Sequence, residues 1–392
     1  MTERKSTNET SEEVSKNSPL IVGIGASAGG LEALQQFFQH MPGNSGLSFV
    51  VIQHLSPDYK SLMADILGKH TEMQVMQAEN EMEILPDNVY LIPPKKNMTI
   101  RNGRLILTDF VQGTLNHPID VFFTSLAKEQ NDRSIAVVLS GTGSDGTSGV
   151  KAVKEKGGLV IVQSPETAKF DGMPRSAINT GLADFILSPD EIVDEILNFS
   201  HYPTLLRPQE KDVLFSDEET FPRIYAILKK ASGIDFTNYK RTTVLRRIER
   251  RMVVTHKPSL AEYVEFLSGD ADEASILVKE ILIGVTNFFR DPSFFEKLKQ
   301  KVIYRIVERA GENEPVRVWS AGCSTGEEAY SLAILFREVL DELGVQRDVK
   351  IFATDVDTKA IEQAGKGVFT ESILDDVSSE RLAKFFTKKN DQ

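Results

Sequence analysis

Residues 20–34, LIVGIGASAGGLEAL, constrain this chain more than any other stretch. Leu20, Ile21 and Val22 open an apolar run of the kind buried in a parallel sheet; beyond the small residues, Leu31, Leu34, Phe37 and Phe38 recur at helical spacing. Ser27 is therefore predicted in a strand-to-helix turn. Gly23, Gly25, Gly29 and Gly30 let the backbone turn tightly there, and the following helix aims its unpaired N–H groups at whatever lies in the turn. Such a turn presents a nucleophile beside an anion hole. The same residues also satisfy the relaxed dinucleotide fingerprint through Gly23, Gly25 and Ala28. That fingerprint expects an acid closing the second strand, whereas LSFVVIQH (47–54) ends in Gln53 and His54, and Asp58 lies in a proline-containing loop. The residues favour a serine hydrolase and leave a dinucleotide site open.

The text from 18 to 199 alternates strands with helices. After a predicted helix in SLMADILGKH come short strands in 88–108 with an Asn-Gly hairpin turn, a helix in IDVFFTSLAKEQ and a buried strand in SIAVVLS (134–140). A helix in SGVKAVKEKG, stopped by Gly157, and a strand in GLVIVQ follow. This order predicts an α/β domain with a mainly parallel sheet, whose ligands bind beyond the carboxyl ends of the strands. Ser27, His54 and Asp145 collect at those ends. A serine hydroxyl needs a base for its proton, and the base needs a carboxylate to fix its tautomer. His40, His70, His117, His201 and His256 read as surface or capping histidines, Asp109 and Asp171 as turn residues; a turn role is also open for Asp145.

At 392 residues the chain has room for two or three domains. No apolar run approaches a membrane span, and the polar segment 1–17 reads as a disordered tail without a signal peptide, implying a cytoplasmic address. The single cysteine, Cys323, excludes an internal disulfide and a cysteine-rich metal site; no metal is expected. A net charge of −12 argues against nucleic acid as a general partner.

Residues 200–212 read as a linker, and from 213 to 295 the pattern predicts a small helical domain. One of its helices carries Arg241, Arg246, Arg247, Arg250 and Arg251, read either as a solvated face or as a dock for an acidic partner. From 296 to 392 a strand, a small-residue turn and a helix recur in PVRVWSAGCSTGEEAYSLAILF, and DVKIFATDVD closes its strand with Asp355 and Asp357, as suits a cofactor ribose. Cys323 reads as a packing residue in that turn.

These residues carry two resemblances. GASAGG, QHLSP, HPIDVFFTSLA, LSGTGSDGTSGV and MPRSAINTGLADFIL resemble the catalytic domain of the chemotaxis protein-glutamate methylesterases (CheB type) over 18–198. The resemblance implies Ser27 as nucleophile, His54 as general base, Asp145 as orienting acid and the Thr142 backbone N–H as oxyanion donor. The implied substrates are γ-glutamyl methyl esters, and in some members glutamines, on the cytoplasmic helices of chemoreceptors. Thr142 stands where many members have methionine, and His117 where many have arginine.

GIDFTNYKRTTVLRRIERRM, GVTNFFRDPSFF, WSAGCSTGEEAYSLA and FATDVDTKAIEQAGKGVF resemble the chemotaxis receptor methyltransferases (CheR type). That likeness implies S-adenosylmethionine, with Thr286 and Arg290 among its contacts, Glu328 with Arg290 at the methionyl end and Asp355 on the ribose. Gly284 replaces an asparagine common in the family. Completing a doubly wound sheet after Asp355 takes on the order of 100 more residues, so the second domain is expected to be incomplete, to expose apolar surface over 300–392, and neither to bind the cofactor tightly nor to transfer methyl groups. The rival reading is a receptor-docking module with vestigial catalytic domains.

Overall fold

The computed structural model describes residues 19–53, 62–110, 116–201, 220–284, 286–309, 311, 314–369, 373–374 and 376–388. The tail predicted at 1–17, His54 and the predicted linker beyond His201 lie outside them. The chain forms two compact units, 1–281 and 282–392.

The first unit is built on β1 (Leu20–Ala26), α1 (Gly30–His40), β2 (Leu47–Gln53), α2 (Met63–Leu67), β3 (Gln74–Gln77), β4 (Met82–Glu83), β5 (Asn88–Leu91), β6 (Lys96–Arg101) and β7 (Arg104–Asp109). It continues through α3 (Pro118–Gln130), β8 (Ile135–Val138), α4 (Thr147–Lys156), β9 (Leu159–Gln163), α5 (Gly172–Asn179), β10 (Phe185–Leu187) and α6 (Pro189–His201). Seven strands make one parallel sheet in the order β10-β9-β8-β1-β2-β5-β3. The central strands are almost wholly buried and mostly apolar because helices cover both faces. On one face Phe37 and Phe38 of α1 meet Phe49 of β2 edge-on, with centroids 5.8 and 5.5 Å away, and α6 adds Ile192 and Ile196. On the other, Phe122, Phe123 and Leu126 of α3 and Val150 and Val153 of α4 close the core. The predicted hairpin is present: Asn102 and Gly103, both left-handed (φ 51° and 69°), join β6 to β7 in a separate antiparallel sheet. The helix predicted over SLMADILGKH is short, ending at Leu67 with Gly68 as its cap.

Among the described residues, four further helices belong to this unit: α7 (Thr220–Ser232), α8 (Arg241–Val254), α9 (Leu260–Gly269) and α10 (Ala271–Ile281). The second unit contains α11 (Pro292–Leu298), α12 (Tyr304–Arg309), β11 (Val316–Ala321), α13 (Glu327–Leu343), β12 (Val349–Thr354), α14 (Thr358–Lys366) and α15 (Ser379–Phe385). β11 and β12 pair in parallel, and α13 packs its apolar stripe on one side of them. The fold is thus a parallel α/β domain, an all-α region at 220–281 and a further α/β region. Trp319 and Phe352, register partners in the two strands, are 72% and 54% exposed, as expected for a sheet with an uncovered face.

Candidate active site

β1 is the strand where the sheet order reverses: the chain builds outward from it through β2 on one side and later through β8 on the other. Ligands of open parallel sheets bind at such a point. Ser27 follows β1 there, half-buried. Its N–H donates to Ser140 O (3.0 Å), tying the end of β1 to the segment after β8, and its carbonyl accepts from Gly30 N (3.0 Å) as α1 begins. Gly29 makes the turn at φ 70°, and a Cβ there would sit 2.8 Å from Ser140 Oγ and from Lys169 Cβ. Ser140 is the buried hub of this end of the sheet: Oγ donates to Ala28 O (2.9 Å) and accepts from Phe170 N (3.0 Å), while its N–H donates to Gln163 Oε1 (2.8 Å).

Asp145 lies in the loop after β8 and is buried. Oδ2 accepts from Ile119 N (3.1 Å) and Oδ1 from Asp120 N (2.9 Å), the orphan amides of α3's first turn. A carboxylate so placed is favoured by the helix dipole and held in one orientation. The turn role left open for Asp145 is therefore too small: it anchors a helix 25 residues upstream. His117 and Asp120 stand beside it, His117 Nδ1 lying 3.7 Å from Asp120 Oδ2, and ligand atoms of all three residues fall within 4.8 Å of one another. These carboxylates already serve backbone amides at a positive helix end, Asp120 Oδ1 also accepting from Gly149 N (2.6 Å), which disfavours a cation there. The candidate base, His54, lies outside the described residues. It follows Gln53, whose Cα is the register partner of Ala26 and whose Oε1 is buried without a hydrogen-bond partner among the described residues.

Thr142 is exposed, and its N–H has no hydrogen-bond partner among the described residues. Gly141 before it touches Ser27: a Cβ at Gly141 would lie 2.9 Å from Ser27 Cβ and 2.2 Å from Met173 Sδ. Ser140, Gly141 and Met173 were not singled out in the sequence. The SG pair in LSGTG was the available signal, because only a small residue fits where two backbone turns meet.

The arginine helix α8 requires a correction. Arg241 is exposed, its guanidinium 5.8 Å from the Phe221 ring, and Arg246 is half-buried. Arg247, Arg250 and Arg251 are buried and do not form a docking face. Arg247 donates to Lys154 O (3.1 Å); Arg250 donates to Gly158 O and pairs with Asp184; Arg251 grips Glu273 through Nε (2.9 Å) and Nη2 (2.6 Å). Charge sequence alone predicts a solvated face, but here anions from distant segments meet the guanidinium groups inside the unit.

In the second unit two of the cofactor candidates, Asp355 and Glu328, bond to the turn after β11 and to the strand itself. Asp355 Oδ2 accepts from Ser324 N and Oδ1 from Asp357 N, each at 2.8 Å, and Glu328 accepts from Ser320 Oγ (2.7 Å). Ser324 Oγ donates to Gly284 O (2.9 Å) and fills the space a Cβ would need at Gly284, 2.4 Å away. An asparagine at 284 would collide with it. Thr286 is half-buried and Arg290 exposed; the contacts that build the turn run through Gly284 instead. Burial pushes the Cys323 thiol above its usual range, with Asp355 adding to the shift, consistent with a packing residue.

Together these features define a parallel α/β protein with a serine turn and a buried carboxylate at the switch point of its sheet. Comparisons with known proteins agree. A family described as CheB methylesterase matches residues 22–196, CheR methyltransferase, all-alpha domain, matches 219–282, and CheR methyltransferase, SAM binding domain, matches 284–392. A Leptospira interrogans protein provisionally described as a protein-glutamate methylesterase/protein-glutamine glutaminase is 34% identical over 173 residues, covering 44% of this chain and 90% of its own length. An uncharacterised 104.1 kDa protein of Rhodobacter capsulatus is 43% identical over 351 residues, 84% of this chain. This chain spans 37% of that relative's length. The crystal structure of the Thermotoga maritima CheB methylesterase catalytic domain superposes with a TM-score of 0.43 at 32% identity, over 46% of this chain and 98% of that one. The chain belongs to the CheB methylesterase family, and it continues into CheR methyltransferase domains.

Proposed function

We propose that the first domain hydrolyses glutamyl methyl esters on the cytoplasmic helices of chemoreceptors, and deamidates glutamines there, with Ser27 as nucleophile, His54 as general base and Asp145 as the acid that orients it. The observation that carries this reading is the Ser27 N–H bond to Ser140 O, which seats the serine turn against the loop that bears Asp145. In the proposed reaction Ser27 Oγ attacks the ester carbonyl while its proton passes to His54. The Thr142 N–H, unengaged by the described protein, donates to the oxyanion. The carbon–methoxy bond breaks, methanol leaves with the proton from His54, and water then hydrolyses the acyl-enzyme by the same proton route. From a glutamine side chain the leaving group is ammonia. His117, at the rim of the carboxylate cluster, would meet the receptor helix. Methanol release from a methylated receptor fragment tests the assignment: wild type releases it and Ser27→Ala does not. Equal release by both would end it. The rival docking reading loses its main support, since three of its five arginines are buried.

For residues 284–392 we propose a receptor-glutamate methyltransferase region whose cofactor contacts are Thr286, Arg290, Glu328 and Asp355. S-adenosylmethionine, when bound, supplies an electrophilic methyl group. The donor set fits one half of such a site: Asp355 closes β12 with acceptor capacity left for ribose hydroxyls, and Gly322 in the facing turn has open space where a Cβ would be. Among the described residues only β11 and β12 offer strand ends, where a doubly wound site uses both sides of a switch point. Calorimetric titration is therefore expected to give binding weaker than micromolar, and micromolar binding would contradict it. Action on chemoreceptors would place the protein at the cytoplasmic face of receptor clusters. No helix among the described residues is long and apolar enough to cross a membrane.

A further inference from the structure

The compact units of this chain do not divide where its families do. The all-α region matched to CheR shares a unit with the CheB domain, and the division falls after Ile281. We infer that this region is a built-in part of the esterase, locked to it by a buried arginine clasp, and that the socket for the clasp is the carboxyl end of α4 together with Asp184.

The chemistry of the socket selects guanidinium groups. Helix α4 is capped by Gly157 (φ 89°), whose N–H bonds the Lys154 carbonyl (3.0 Å), and the last carbonyls of a helix carry partial negative charge with acceptor capacity to spare. Arg247 donates to the carbonyl of Lys154 and Arg250 to that of Gly158. Asp184, next to β10, adds a full negative charge, accepting from Val160 N (2.9 Å) and pairing with Lys154 (2.6 Å) and Arg250. Glu280 of α10 completes the ring, 3.3 Å from Lys154 and 3.5 Å from Arg250. A flat guanidinium fork serves a carbonyl and a carboxylate through separate nitrogens held in a fixed geometry, which the single nitrogen of a lysine at 250 would not reproduce. Each half needs the other: without α8 the carbonyl of Gly158 loses the guanidinium that Arg250 supplies, and without the socket Arg247 and Arg250 lose their main acceptors. Lys154 lies in the last turn of the helix that begins two residues after Asp145, so the clasp grips the far end of the element that carries the site's carboxylate loop.

Hydrogen exchange on the full chain tests this without reference to catalysis, so the outcome is independent of the proposed esterase activity. Asp184→Asn lies in the esterase domain, and it should speed exchange of the α8 amides by roughly ten-fold or more while α13 of the second unit stays unchanged. Unchanged α8 protection overturns the inference. Should that variant also strip protection from α1, meaning the esterase core itself has opened, Arg247→Gln decides from the other side. It keeps the Lys154–Asp184 pair and should speed exchange in the last turn of α4; no change there overturns the clasp.

Discussion

Asp145 accepts the backbone N–H of Asp120 at 2.9 Å, so the carboxylate proposed as the orienting acid also caps helix α3. In the proposed mechanism one side chain therefore carries two separable contributions. Asp145→Ala leaves the amides of Ile119 and Asp120 without their acceptor, costing about 1–2 kcal/mol of stability. In the proposed mechanism it also removes the group that orients the base, and turnover should fall by on the order of 10³-fold or more. Denaturant unfolding and methanol release on the same preparation should show both losses. A stability loss with full activity would leave Asp145 as a cap alone.

Gly141→Ala tests how tightly Ser27, the proposed nucleophile, is seated. The added methyl group meets Met173 Sδ at 2.2 Å and Ser27 Cβ at 2.9 Å. The thioether can swing away, whereas the Ser27 turn is fixed by its bond to Ser140. We expect turnover to fall by about ten-fold or more, since sub-ångström displacement of a reacting group is costly, with a stability loss of about 1–3 kcal/mol from overpacking. Unaltered turnover would show that Ser27 tolerates displacement.

What the sequence disclosed depended on how far apart the cooperating residues lie. The Ser27 turn was legible because an apolar strand, small residues and a periodic helix are contiguous, and the Asn102–Gly103 turn because two left-handed residues in a row admit few alternatives. The strand QVMQ was not: it is a half-exposed edge with no run of buried side chains. Arginine-rich α8 was misread for a physical reason. Its partners Asp184 and Glu273 lie 66 and 22 residues away, so no local window holds both signs of the buried cluster. Asp145's grip on α3 was hidden in the same way.

Asp184 should make the first unit acid-sensitive in a defined window. Burial alone would raise its carboxyl, but Arg250 and then Lys154 outweigh burial and hold it below its ordinary range. A carboxyl depressed in the folded state contributes stability that is complete above the unfolded value, about 3.9, and is lost as pH falls from there through the folded value. Wild type should therefore exceed Asp184→Asn by about 3 kcal/mol at pH 7 and at pH 5, the scale of a broken buried ion pair. Below about pH 4 the gap should narrow. Unfolding followed by circular dichroism at each pH checks this, and a gap independent of pH would assign the loss to packing.

Trp319, the one tryptophan of the chain, offers a direct probe of the second unit. Its ring is 72% exposed on the uncovered side of the β11–β12 sheet, with Nε1 donating to Thr354 Oγ1 (2.9 Å) and Phe352 alongside in register. Exposed aromatic surface of this kind is normally covered by further sheet-flanking elements or by another molecule. In dilute solution the indole should be freely quenched by acrylamide, with the red emission of a solvated ring. If the face associates with a second copy, quenching should fall as protein concentration rises, and Trp319→Ser with Phe352→Ser should abolish that dependence without altering methanol release, because both residues lie in the other unit from Ser27. A blue-shifted, quencher-resistant indole at low concentration would show that the chain covers this face itself.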